Sequence, residues 1–83
     1  MTSDQLRQVL KELDGQREAL FVFHEMSEHS TGLVIKSAIL IPDEPDHMVK
    51  VTDGKHIFII NPERLAYVRI TLKQPINPFA PGV

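Results

Sequence analysis

Residues 55–72 read KHIFIINPERLAYVRITL, and this segment decides the fold of the chain. Its first part, Lys55 to Ile60, is rich in β-branched and aromatic residues, which favour strands. Its last part, Ala66 to Leu72, alternates apolar residues with Tyr67, Arg69 and Thr71, as a half-buried strand does. Between them, Asn61-Pro62-Glu63-Arg64 contains a proline that cannot donate to a sheet ladder. The segment therefore predicts two strands joined by a tight connection.

Three further strands are predicted upstream of this segment. They are Ala19–Phe23, Leu33–Ile41 and Met48–Thr52, all rich in aliphatic and aromatic residues. The polar run from Glu25 to Thr31, which ends at Gly32, and the run Pro42–Asp46 predict loops. Asp53-Gly54 predicts a two-residue hairpin turn, because both residue types tolerate positive φ. The whole set amounts to five antiparallel strands.

An N-terminal helix is predicted before the strands. Its apolar stripe has the spacing i, i+3, i+4 and i+7 and consists of Leu6, Val9, Leu10 and Leu13. Thr2 or Ser3 can cap the first turn, and Gln5 completes a capping box with Thr2. Gly15 is the predicted stop, which makes a helix of about 11 residues that needs a sheet to pack on.

Length and composition limit what the chain can be. With 83 residues, no cysteine and a net charge of −2, it has room for one domain without disulfides. We expect a mainly β domain over residues 1–72, a small and strongly bent five-stranded barrel capped by the helix, because closing the sheet removes exposed edges. Residues 73–83 are a proline-rich tail. Neither a membrane span nor a signal peptide is predicted, so we expect a cytoplasmic protein.

The sequence contains no pattern typical of an enzyme or a metal site. His24 and His29 are five residues apart, a spacing that does not place two ligands on one helical face, so we expect solvated loop histidines. The four serines lack a nucleophile elbow, and the four glycines form no phosphate loop. The acidic run Asp43–Asp46 is better explained as a solvated turn than as a weak cation site. His47 and His56 are expected to face each other across the Asp53-Gly54 turn, as a pH-sensitive patch. We predict neither catalysis nor a cofactor.

Three parts of the chain resemble the Sm-like family. Ile59–Ile70 is similar to the family's second motif, in which two strands flank a very short turn. Gly32 is similar to the glycine in the second strand of the first motif, and Asp46-His47-Met48-Val49 resembles the aspartate-to-methionine end of that motif. The resemblance implies a helix on a bent five-stranded barrel. It also implies a homo-oligomeric ring of about five to seven subunits, in which the fourth strand of one copy lies beside the fifth of the next.

The resemblance also implies where a ring would act. Single-stranded RNA would bind at the pore through His47, Asn61 and Arg64, by stacking and by hydrogen bonds to base edges. The interface between copies would use one set of strand residues: Ile57, Ile59, Tyr67, Val68 and Ile70. An alternative stays open, in which Asn61 caps its turn, Arg64 forms surface ion pairs and the ring is a scaffold or protein-interaction module without RNA. The acidic balance of the chain favours that alternative, as do Val49 and Asn61-Pro62, which replace family residues that contact RNA.

Overall fold

The computed structural model describes residues 1–24, 32–74 and 76. The elements are α1 (Ser3–Leu10), β1 (Ala19–Phe23), β2 (Leu33–Ile35), β3 (Ile39–Leu40), β4 (Val49–Thr52), β5 (Ile57–Ile60), a 3-10 turn (Pro62–Arg64) and β6 (Leu65–Ile70). They form two antiparallel sheets with the orders β2-β1-β6 and β3-β4-β5. The prediction of a mainly β fold with one N-terminal helix is confirmed. The predicted loop at Glu25–Thr31 and most of the tail lie outside the described residues.

The described residues form two three-stranded sheets and no closed five-stranded barrel. The predicted strand Leu33–Ile41 is split into β2 and β3, one in each sheet. The break falls at Ser37, whose φ of 53° is left-handed and ends the extended conformation. The next residue, Ala38, is buried, and its amide donates to the carbonyl of Arg17 while its carbonyl accepts from the amide of Gly15. These bonds hold the chain at the corner where it passes from one sheet to the other.

The core lies between the inner faces of the two sheets and the helix. It consists of buried aliphatic residues around Phe21, which is fully buried in the central strand β1. The helix, which contacts β3 and β4, contributes Leu6 and Leu10, and Leu13 follows from the turn after it. Burying each such side chain stabilises the fold by about 1.5–3 kcal/mol.

The capping box predicted for the helix is confirmed, whereas its predicted end is wrong. The Thr2 hydroxyl accepts from the Gln5 amide at 3.1 Å, and the Gln5 side chain accepts from the Thr2 amide at 2.9 Å. The helix ends at Leu10 and not near Gly15. Leaving the helix early lets Leu13 reach the core, and Gly15 (φ 85°) then binds Ala38 instead of closing the helix.

The connection between β4 and β5 has four residues, so the predicted two-residue turn is wrong. Thr52 pairs with Ile57, which leaves residues 53–56 in the connection. Asp53 Oδ1 accepts from the amides of Lys55 and His56, at 2.8 and 2.7 Å. These two bonds hold the pKa of the Asp53 carboxyl below its ordinary value. The side chain of Asp53 therefore organises a longer loop than the Asp-Gly pattern alone indicates.

Two glycines with similar φ give a matched prediction about backbone constraint. A Cβ on Gly32 (φ 91°) would lie 2.8 Å from Leu20 Cδ1 and 2.9 Å from the Phe21 carbonyl oxygen, whereas one on Gly54 (φ 94°) would meet nothing within 4 Å. Gly54→Ala should cost only the left-handed strain, about 1 kcal/mol. Gly32→Ala should cost about 2–3 kcal/mol, because a backbone atom must also move. Urea unfolding of both variants checks this, and equal losses would contradict the close contact at Gly32.

Candidate interface edges and the groove beside them

Within the described part of the chain, four strands lie at sheet edges, β2 and β6 in one sheet and β3 and β5 in the other. β5 is the last strand of the order β3-β4-β5, and β6 is the last strand of the order β2-β1-β6. The outward side of an edge strand carries N–H and C=O groups that the sheet itself does not pair. Of the four edges in the described residues, those of β5 and β6 carry the residues predicted for contact between copies.

On β5, apolar side chains point both inward and outward. Ile60 is buried and Phe58 packs partly buried against the core, opposite Val49 and Val51 of β4. Ile57 and Ile59 point to the other face and are 63% and 61% exposed. Isolated exposed apolar residues are ordinary, but two on the outer face of one edge strand form a surface that association would cover.

On β6, the three predicted interface residues also divide between the two faces of the strand. Val68 and Ile70 are half-buried and pack against the core from the inner face. Tyr67, which is 54% exposed, lies on the outer face. The structure therefore places Ile57, Ile59 and Tyr67 outside, and it places Val68 and Ile70 inside along the edge.

A groove of about 330 Å³ lies beside the end of the β4–β5 hairpin. Its lining comes from the helix start, the segment before β4 and the end of β5: Ser3, His47, Met48, Val49, Ile59, Ile60, Asn61 and Pro62. The groove brings together His47 and Asn61, two of the three predicted nucleic-acid-binding residues. The third, Arg64, is exposed outside the lining, and its carbonyl accepts from the His24 amide at 2.9 Å.

Asn61 is fixed by its own turn. Its side-chain oxygen caps the 3-10 turn by accepting from the amide of Glu63 at 3.1 Å. Pro62 follows at the first position of that turn, where its missing N–H costs nothing. The capping role that the sequence left open is present. The side-chain NH₂ is then the group of Asn61 that is suited to donate to a ligand in the groove.

The segment 43–48, which we call the His47 loop, forms one wall of the groove and is held by ion pairs. Lys50 Nζ binds Glu44 at 2.6 Å and Asp46 at 2.7 Å. Hydrogen bonds from Lys50 and from the Met48 amide hold the pKa of Asp46 below its ordinary value, and Asp46 and Glu44 raise the pKa of Lys50. The acidic run predicted as a solvated turn is therefore a turn whose carboxylates are paired with cations.

His47 lies at the tip of this loop, and its expected partner His56 does not face it. Its imidazole is exposed, with Nδ1 3.2 Å from both carboxylate oxygens of Asp43. The β4–β5 ladder runs from Val49 opposite Ile60 to Thr52 opposite Ile57, so His47 and His56 lie beyond opposite ends of it. At about 3.4 Å per residue, the two imidazoles are separated by at least about 10 Å of hairpin, and the predicted pairing is wrong.

Within the described parts of the chain, no cluster of three or more histidine, cysteine or acidic residues is arranged to hold a metal ion. His24 is exposed at the end of β1, and His29 lies outside the described residues. Residues 1–24, 32–74 and 76 also contain no helix long and apolar enough to cross a membrane.

Sequence reasoning missed two residues that shape the site, Arg7 and Ser3. Ser3 lines the groove from the first turn of α1. Arg7 reaches the His47 loop, although about 40 residues separate them in the chain. Its position between Leu6 and Leu10 on the helix is the only sequence signal, since a residue bordering the apolar stripe lies near whatever the stripe covers.

Comparison with known proteins identifies no family for the chain. It matches no model of a protein family, no curated protein and no solved structure.

Proposed function

We propose that this chain assembles edge to edge with copies of itself into an Sm-like ring, and that the groove beside each edge binds single-stranded RNA. The observation that carries the proposal is the pair of open strand edges, β5 and β6, which end two different sheets and both present apolar side chains. The resemblance of Ile59–Ile70 to the second Sm-like motif supports it independently.

When β5 pairs antiparallel with β6 of a neighbouring copy, inner-face residues of one strand can lie opposite inner-face residues of the other, and outer-face residues opposite outer-face residues. With Phe58 opposite Val68, the inner faces of the two copies become continuous. The same register places Ile59 opposite Tyr67, an aromatic and β-branched pair of the kind that contributes about 0.2–1 kcal/mol across strands. Backbone groups left unpaired at both edges would then be paired between copies.

Two different edges that pair with each other make a heterologous contact. Such a contact, repeated by rotation, closes into a ring or continues as a filament. A short chain gains from closure, because a domain of this size buries only about 60–65% of its unfolded surface by itself. Assembly therefore supplies burial that the monomer core lacks.

The groove has the groups needed to hold an unstacked base. The His47 imidazole is exposed for stacking, and the Asn61 NH₂ can donate to an acceptor on a base edge. Met48 and Pro62 add apolar surface to the lining. In this proposal Arg64, which is exposed at the end of the 3-10 turn, would contact a phosphate outside the groove.

One experiment in two steps tests the proposal. Light scattering on a sizing column at two protein concentrations should give a closed species of a few subunits with a constant mass. Fluorescence anisotropy with labelled U-rich and A-rich oligonucleotides should then show binding that weakens as salt rises. A monomer at high concentration would overturn the ring, and a ring that binds neither oligonucleotide at low salt would overturn the RNA function.

A second candidate is the same ring used as a non-catalytic scaffold. The specific observation in its favour is the set of three carboxylates, Asp43, Glu44 and Asp46, on the loop that forms the groove wall. Even when paired with cations, they do not give the wall the excess positive charge that phosphates prefer. A stable ring without salt-sensitive RNA binding is the result that selects this candidate.

A further inference from the structure

We propose that Arg7 of helix α1 is the positioning residue of the groove, because it sets the conformation of the His47 loop. Its Nη2 donates to the carbonyls of His47 and Met48, at 2.8 and 2.9 Å. The same nitrogen lies 3.0 Å from Asp43 Oδ1, and the Arg7 side chain is only 13% exposed. One guanidinium thus binds both ends of the loop.

The loop needs such a partner for two reasons. His47 has a φ of 57°, a left-handed conformation that residues with a Cβ adopt rarely. The loop also brings three carboxylates close together, and Lys50 pairs with only two of them, Glu44 and Asp46. Arg7 pairs with the third, Asp43, and it is the cation that also binds the loop backbone.

A lysine would not reproduce this arrangement. The guanidinium is a flat, rigid fork that directs several N–H groups to fixed acceptors, whereas an ammonium is a point charge on a flexible stem. Nη2 has two hydrogens and meets three acceptors, so at least one hydrogen is shared. The buried Arg7 Nε has no hydrogen-bond partner, a cost that the other bonds of the guanidinium offset.

The consequence for binding rests on the proposed function. His47 and Met48 form a wall of the groove, and Ser3 of the same helix forms part of another. Removal of Arg7 releases the His47 carbonyl and allows the loop to leave the left-handed conformation. The imidazole then no longer has a fixed place beside Asn61, and a bound base loses its stacking partner.

The decisive variant is Arg7→Met, which keeps a long apolar stem and removes the guanidinium. Amide hydrogen exchange measured by NMR reports the loop directly. The His47 amide donates to the Glu44 carbonyl at 2.8 Å, and the Met48 amide donates to Asp46 at 3.0 Å. Both should exchange at least about tenfold faster relative to Val51 in β4, and RNA affinity should fall by about tenfold, as expected when charge-assisted hydrogen bonds are lost.

Arg17→Met is the matched control. Arg17 is also half-buried, its guanidinium donates to the carbonyl of Glu12, and its Nε likewise has no partner. It does not contact the His47 loop through any of these bonds. Arg17→Met should lower overall stability but leave the exchange of His47 and Met48 relative to Val51 unchanged.

Arg7→Lys provides a graded rescue, with Asp43 still paired and loop exchange intermediate between the wild type and Arg7→Met. If Arg7→Met does not fold, Asp43→Asn at an exposed site serves instead, and it should speed loop exchange by a smaller factor. Equal effects of Arg7→Met and Arg17→Met on the loop would overturn the inference. If Arg7→Met speeds amide hydrogen exchange only in the His47 loop, but the wild-type protein binds no RNA, the role of Arg7 is supported and only the proposed RNA function is overturned.

Discussion

Ile59→Asp should convert the assembled protein into folded monomers. The side chain is 61% exposed on the outer face of β5, so a carboxylate there meets water in the monomer and leaves the core intact. In the proposed assembly the same carboxylate lies against Tyr67 of a neighbouring copy without a cation. Burial of an unpaired charge costs several kcal/mol, and about 3 kcal/mol per contact already weakens association by more than 100-fold.

Light scattering and urea unfolding of the same sample separate the two effects. Val34→Asp is the control, because Val34 is 43% exposed on the outer face of β2, away from both proposed contact edges. It should leave the oligomer unchanged. An unfolded Ile59→Asp monomer would mean that the inner and outer faces of β5 are assigned the wrong way round. An intact oligomer in both variants would remove β5 from the interface.

Phe21→Ala should unfold most of the protein. Phe21 is fully buried in the central strand of its sheet, opposite Leu33 on one side and Val68 on the other. Removal of a buried phenyl ring costs about 3–5 kcal/mol through lost burial and the cavity left behind. A domain of this size has a total stability of only about 5 kcal/mol, so little remains.

Circular dichroism with urea checks this, at one protein concentration for all variants because assembly itself stabilises the fold. Phe58→Ala removes the same ring from a half-buried position on β5 and should cost about half as much. If the two substitutions cost the same, Phe21 is not the centre of the core.

The strands that alternate or concentrate apolar residues could be located from the sequence. The predicted strand Ala19–Phe23 has the bounds of β1. The predicted strands Met48–Thr52 and Ala66–Leu72 correspond to β4 and β6, and no end of either differs by more than two residues. The capping box at Thr2 was equally readable, since it depends on residues three apart. Local periodicity and local hydrogen bonding therefore carried this part of the fold.

Other features could not be read locally, because they depend on contacts between distant segments. The continuous apolar run Leu33–Ile41 hides the corner at Ser37, which exists because Ala38 binds the segment from Gly15 to Arg17. The early end of the helix has the same origin, since Leu13 leaves it to reach the core. The Asp53 side chain accepts a hydrogen bond from the His56 amide, and this bond favours a four-residue connection over the two-residue turn that an Asp-Gly pair prefers.

For the candidate site, the sequence by itself determined that the β5 segment carries apolar residues at both alternating positions and that His47 and Asn61 flank the strands next to them. Only the tertiary structure decided which of those residues face outward. It alone joins His47 to Asn61 in one groove and ties the His47 loop to Arg7. The physical reason is that a strand's own alternation determines which residues share a face, but packing decides which face meets the core. The ion pair between Arg7 and Asp43 and the hydrogen bond from Arg7 to Met48 join residues 36 and 41 positions apart, so they too depend on how the elements pack.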